Sequence, residues 1–209
     1  MTKIDFYCIG YSGRDIEKTR EHVEELKKIG VPEPKSIPEI YHLKNNLLTS
    51  SDNIEVIGEK TSGEVEVVLI ADSEGQLFVT VGSDHTDRGL ETVSIHKSKQ
   101  ICDKPIASEK WKLENVIDEW EKLELYSEVK KEGEWINYQK GALSSIIPLD
   151  DIISFLEKNN IELKNVVVFC GTVPLLEGFI YGDVFKCGIR NYKNEKSIEL
   201  KYKIERLRE

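Results

Sequence analysis

Three acidic side chains open the question of chemistry. Glu64 and Glu66 stand two residues apart in the run Ser-Gly-Glu-Val-Glu. On a strand that spacing puts both on one face, with Cα atoms roughly 6.5 Å apart. Two carboxylates so placed can converge on one hard cation such as Mg²⁺, Mn²⁺ or Ca²⁺. The competing explanation is a solvated strand face, on which alternating charge is ordinary. Two features favour the ion. Gly63 directly precedes the pair and permits close backbone approach. A hairpin turn at Asp72-Ser-Glu-Gly75 would then return Asp84 to the same region as a third carboxylate. The expectation is a divalent metal site built from Glu64, Glu66 and Asp84.

The run from Ser83 to Glu91 concentrates polar side chains just past a strand end, where function often resides. Arg88 could grip a substrate carboxylate with two parallel hydrogen bonds. His85 lacks a second histidine at ligand spacing, which speaks against zinc. His22 and Glu25 lie one helical turn apart and can touch; a histidine oriented by a carboxylate is a competent base for water. Their bland alternative is an exposed helix face, since Glu21, Glu24 and Lys27 are also polar. Lys97 and Lys99 flank Ser98, and a lysine beside an enolate would stabilise its charge. Gly171-Thr172 follows an apolar strand, where a hydroxyl and backbone N–H groups can meet a carboxylate. Cys170 has no adjoining histidine and reads as core.

These residues need elements to hold them. Lys3 to Ile9 reads as a first strand. A helix follows, capped by Ser12 or Asp15 and stopped near Gly30. Pro32, Pro34 and Pro38 predict a stiff, extended connector. Ile54–Ile57, Glu64–Ala71 and Gln76–Val81 read as strands, the last two as a hairpin. Lys110–Leu123 predicts a helix carrying Trp111 and Trp120. Leu149–Lys158 is a short amphipathic helix, Val166–Cys170 a buried strand, and Ser197–Leu207 a late strand or pair of strands. Strands outnumber helices without regular βαβ alternation, so the expected class is a β-rich, mixed α+β domain.

The bulk numbers bound the rest. The 209 residues suit one domain, 1–209, with a real core. Charged residues make up 32% and the net charge is -9, which disfavours nucleic acid and anionic membranes as partners. No run approaches the ~18 apolar residues of a membrane span. Four scattered cysteines, Cys8, Cys102, Cys170 and Cys187, suggest no disulfide framework. The expectation is a reduced, cytoplasmic protein.

Ile9-Gly-Tyr-Ser, His22-Val-Glu-Glu25 followed by Gly30-Val-Pro32, Glu64-Val-Glu66, Ser83-Asp-His-Thr-Asp-Arg88, Ser98-Lys99 and Phe169-Cys-Gly-Thr172 stand in the order of similar motifs in the fumarylacetoacetate hydrolase superfamily. The chain resembles a divergent branch of that superfamily over nearly its whole length. The resemblance implies a mixed β-sheet roll or sandwich with flanking short helices. It implies metal ligands at Glu64, Glu66 and Asp84 for Mg²⁺ or Mn²⁺, with Ca²⁺ able to substitute in crystals. It implies catalytic roles for His22, Glu25 and Lys99, and substrate contacts at Arg88, Glu91 and Thr172. The implied activity is hydrolysis of a carbon–carbon bond in a small 2-oxo or β-dicarbonyl acid, in a homodimer. Decarboxylation, hydration or isomerisation on the same site, or binding without turnover, are the alternatives. Asp87, Gly89 and Glu91 depart from the superfamily pattern, and they bear on the substrate more than on the metal.

Overall fold

The computed structural model describes residues 3–208. The chain begins with β1 (Asp5–Gly10), α1 (Ile16–Lys28), β2 (Glu39–Leu43), β3 (Leu48–Thr49) and β4 (Asn53–Ile57). It continues through β5 (Thr61–Ser62), β6 (Val65–Ala71), β7 (Leu77–Ser83), β8 (Thr86–Asp87), α2 (Arg88–Glu91), α3 (Ile95–Gln100), β9 (Lys104–Pro105) and β10 (Trp111–Lys112). It ends with β11 (Glu124–Lys131), β12 (Glu134–Ala142), α4 (Leu149–Lys158), β13 (Val166–Thr172), β14 (Val184–Asn191) and β15 (Lys196–Leu207). The class is the expected one, strand-rich and mixed α+β.

Two sheets carry the architecture. One runs β10-β7-β6-β13-β1-β2, the other β12-β11-β14-β15-β4. Both are mixed: β1 pairs with β13 in parallel and with β2 antiparallel, and β15 pairs in parallel with β4. Between the sheets lies the main core, where Val65, Val67, Val79 and Val81 meet Leu125, Phe185, Ile189 and Tyr202. A second cluster, including Phe6, Cys8, Val68 and Phe169, covers the opposite face of the first sheet. Strand alternation dictates this division: odd positions of β6 and β7 point to the second sheet, even ones away from it.

Local sequence explains most elements. Asp15 caps α1, its side chain accepting from the N–H groups of Glu17 and Lys18. The β6–β7 hairpin turns at Asp72, whose carboxylate accepts from Glu74 and Gln76. The four cysteines are buried free thiols. Lys110–Leu123 is a correction. Trp111–Lys112 pairs with the β7 edge, and 3₁₀ turns cover Leu113–Asn115 and Ile117–Lys122. Edge pairing draws the start of the segment into the sheet, and the β-branched Val116-Ile117 pair breaks the remainder into two tight turns. Trp120 is buried in the core, whereas Trp135 is exposed beneath the Lys201 ammonium.

Candidate active site

The even-numbered face of β6 and β7 ends in carboxylates. Val65 pairs with Ser83 and Glu66 with Gly82, and the Asp84 N–H donates to the Glu64 carbonyl (2.9 Å). By alternation Glu64, Glu66 and Asp84 therefore lie on one face of the first sheet, the one turned away from the second sheet. The same alternation sends Ser83 and His85 the other way: both hydrogen-bond the Tyr202 hydroxyl of β15, at 2.8 and 3.0 Å.

Each carboxylate has a distinct environment. Glu66 is buried and accepts from the Gly171 N–H (2.7 Å). Burial, and next the Asp84 carboxylate, push its carboxyl well above the usual range. Glycine is favoured at position 171 by backbone and contact alike. Its φ is +130°, and an added Cβ would stand 1.8 Å from the Ser12 Oγ. Asp84 is fully buried between two ammonium groups: Lys99 on α3 binds Oδ2, and Lys104 on β9 stands 3.2 Å from Oδ1. Burial works to raise the Asp84 carboxyl, and the two lysines overcome it and hold the group well below the usual range. Despite its own burial, Lys99 is raised by Asp84, so it stays an ammonium. Glu64 stands 3.3 Å from Arg88.

Arg88 is buried, and two of its three guanidinium nitrogens are hydrogen-bonded by the protein, while the buried Nη2 has no hydrogen-bond partner. Its Nε donates to the Ser62 Oγ (2.8 Å), and Nη1 donates to both Glu91 oxygens (3.3 and 3.1 Å). Nη2 faces Glu64, and the Phe179 ring lies 4.6 Å from the guanidinium. One arm of the fork expected for a substrate carboxylate is thus taken by the protein's own Glu91, and the other lies beside Glu64 without a hydrogen bond. The Thr172 hydroxyl is likewise committed: it donates to the Val65 carbonyl and accepts from Gln139, both at 2.7 Å. His22 and Glu25 meet at 3.7 Å on the exposed side of α1 and make no hydrogen bond or ion pair with the carboxylate cluster.

Whether a divalent ion suits these residues can be judged from the donor set. Three hard oxygen donors crowd one sheet end, and the neighbouring carboxylates penalise ionised Glu66, a penalty that a cation would remove. The donor chemistry fits. The side chains do not form a closed cage: among the described residues no group of three His, Cys, Asp or Glu has metal-holding spacing. Arg88 draws Glu64 aside, and the lysines draw Asp84.

Comparison with known proteins places the chain. The model of a family described as protein of unknown function, DUF2848, matches residues 9–202. The chain belongs to the DUF2848 family. No curated protein matches it. The fold recurs in solved structures. A 2-keto-3-deoxy-D-arabinonate dehydratase complexed with magnesium and 2,5-dioxopentanoate superposes with a TM-score of 0.72 at 18% identity, over 98% of this chain and 74% of the dehydratase. Cg1458 with an inhibitor superposes at 0.69 and 17% identity, over 99% of this chain and 78% of Cg1458. At such identities the likeness establishes the fold, which is the fumarylacetoacetate-hydrolase-like one expected from the motifs.

Two buried residues of this DUF2848 member were absent from the sequence-based site. Lys104 donates to the carbonyls of His85 and Cys102 (3.2 Å for the latter) besides pairing with Asp84. Nothing in Asp-Lys-Pro marked it; a lysine five residues beyond another basic site residue gives no periodic signal. Gln139 joins the two sheets, accepting from the Val65 N–H (2.9 Å) and donating to Thr172 and the Val173 carbonyl (2.7 Å each). Its position within β12 gave no cue.

Proposed function

We propose that the chain is a divalent-metal-dependent enzyme acting on a small 2-oxo acid. One observation carries the reading: Glu64, Glu66 and Asp84 gather on one face of a sheet end with the Lys99 ammonium beside them. Glu64, Glu66 and Asp84 would hold Mg²⁺ or Mn²⁺. When bound, the ion supplies Lewis-acid polarisation of the 2-oxo group and charge for an enolate. Lys99, an ammonium raised by Asp84, serves as donor and positive charge rather than as a base. Arg88 acts as a strut that fixes Glu64 and Glu91. Glu91 and Glu64 would turn acceptor oxygens toward the substrate, an arrangement suited to hydroxyl groups. The named dehydratase of the same fold, complexed with magnesium and a dioxo acid, agrees with this class of chemistry.

Within it, the resemblance favours carbon–carbon hydrolysis with His22 and Glu25 activating water. A lyase that eliminates or tautomerises without that dyad is the second reading. The observation favouring it is the exposure of His22 and Glu25 on α1, apart from the carboxylates. A homodimer is proposed from the resemblance.

The test has two arms. Calorimetry should give weakened Mn²⁺ binding for Glu66→Ala and for Asp84→Ala; unchanged affinity in both overturns the metal assignment. Acylpyruvates, oxaloacetate and 2-keto-3-deoxy sugar acids should then be assayed with Mg²⁺ and Mn²⁺. Cleavage of an acylpyruvate that His22→Ala abolishes supports hydrolysis, and turnover that survives His22→Ala supports the lyase. Absence of turnover across the panel leaves a binding protein.

A further inference from the structure

Tyr11 follows the last residue of β1 and sits in the left-handed region, with φ +57°. A bulky L-residue seldom adopts that conformation, because Cβ crowds its own backbone. It persists only where the surroundings over-determine it, and such residues collect at ligand sites. The surroundings here are evident. β1 is locked between β13 and β2, and Asp15 fixes the start of α1 four residues later. The turn between these fixed elements holds Tyr11 in the left-handed conformation.

The Tyr11 side chain lies on the same face of the first sheet as the cluster, and its chain neighbour Ser12 stands against Gly171, whose N–H holds Glu66. Its ring is half-buried against the patch containing Phe6, Cys8 and Phe169. The charges acting on its hydroxyl are Glu91, Lys99, Glu39 and Glu64, three of them residues of the candidate site. Among the described residues no group hydrogen-bonds this hydroxyl. The contrast is with Tyr41 next to it, whose hydroxyl donates to Glu39 (2.9 Å). Burial, and then Glu91, push the Tyr11 phenol up to about 12, so it is a neutral donor. A strained backbone thus presents a donor without a protein acceptor beside the groups that would hold the substrate.

We infer that Tyr11 is a substrate-binding residue whose hydroxyl donates a hydrogen bond to an oxygen of the bound acid, a role that rests on the 2-oxo acid reading above. A ring that merely fills space would need no hydroxyl, so Tyr11→Phe separates the two roles.

The probes are Mn²⁺ alone and then oxalate, a planar dianion resembling a 2-oxo acid enolate, titrated into the Mn²⁺-loaded protein. Tyr11→Phe should keep its Mn²⁺ affinity and melting temperature and bind oxalate about ten-fold more weakly, the usual scale for one hydrogen bond to a charged acceptor. Tyr11→Asn, which tolerates the left-handed backbone, should lose oxalate affinity similarly and guards against a folding defect in a single variant. Wild-type protein that binds Mn²⁺ but not oxalate overturns the 2-oxo acid reading and this role with it. Wild type and Tyr11→Phe binding oxalate within about two-fold of each other overturns the Tyr11 role alone.

Discussion

Two ion pairs in this chain share one spacing and differ in everything else. His22–Glu25 and Arg88–Glu91 are both i,i+3 pairs starting on a helix. The first spans 3.7 Å with side chains 60% and 72% exposed, the second 3.1 Å with side chains 5% and 12% exposed. In water the first gains little, because solvent screens the charges and two mobile side chains must be ordered. The second has lost its hydration and depends on its partners, so removing one leaves an uncompensated charge. Sequence spacing says which residues can touch; what covers them says whether the contact matters. On this basis the buried cluster around Asp84 and the open face of α1 should respond to mutation on different scales.

The sharpest expected difference is at Lys104. It is fully buried, pairs with Asp84, and donates to two backbone carbonyls. Lys104→Met should leave those acceptors unsatisfied and cost about 3–5 kcal/mol in urea unfolding. A loss under about 1 kcal/mol, the scale of an exposed pair, would remove the distinction between the two regions.

The pairs themselves can be compared by double-mutant cycles. The coupling of Arg88→Met with Glu91→Gln should reach about 2 kcal/mol, and that of His22→Ala with Glu25→Gln should stay under about 0.5 kcal/mol. Equal couplings would mean that burial of the Arg88 guanidinium adds nothing.

Gly171→Ala probes what anchors Glu66. The positive φ and the Ser12 hydroxyl both oppose a Cβ, so the variant should lose about 1–3 kcal/mol. Ser12→Gly in the same chain removes the clash but not the backbone strain, and should restore part of the loss. Full restoration would place the whole effect in the contact.

How far the sequence told these regions apart is instructive. The strands that carry the site were legible because β6, β7 and β13 are apolar runs bounded by turn residues, and α4 matched its expected limits Leu149–Lys158. β11 and β14 were not read: β11 mixes charges such as Glu124, Glu128 and Lys130 into its pattern, and only the second sheet reveals which face is covered. The acidic triplet was legible from strand parity. The cations that hold it were not, because Lys104 reaches Asp84 through the fold rather than through a period. Arg88 was legible as a functional type, but its protein partner was not: Glu91, three residues away, holds one arm of the guanidinium.

A pH titration of stability distinguishes buried from exposed histidine. His85 is fully buried, and burial, then Lys104 and Arg88, hold its imidazole well below its usual value. Its folded value is lower than the unfolded value of about 6.5. Unfolding therefore takes up a proton below that pH, and stability present above pH ~6.5 is lost as the pH falls toward the folded value. The limit for one proton is about 1.4 kcal/mol per pH unit. Urea unfolding of metal-free protein at several pH values should show this limb, and His85→Leu should lack it even though the variant is less stable throughout. An unchanged limb would assign it to other groups.

The smallest expected effect is at His22. On an exposed helix face, His22→Ala removes one loose ion pair and replaces histidine with a better helix former. Stability should move by no more than about 0.5 kcal/mol in either direction. That near-neutrality makes the variant useful, because any change in turnover cannot then be blamed on the fold. A large loss of acylpyruvate cleavage at unchanged stability would require α1 to bring His22 to the substrate during reaction. Unchanged stability with unchanged turnover would instead confine the chemistry to the sheet end, where Glu66, Asp84 and Lys99 are fixed by buried partners. A stability loss above about 1 kcal/mol would contradict the environment that separates this pair from Arg88–Glu91.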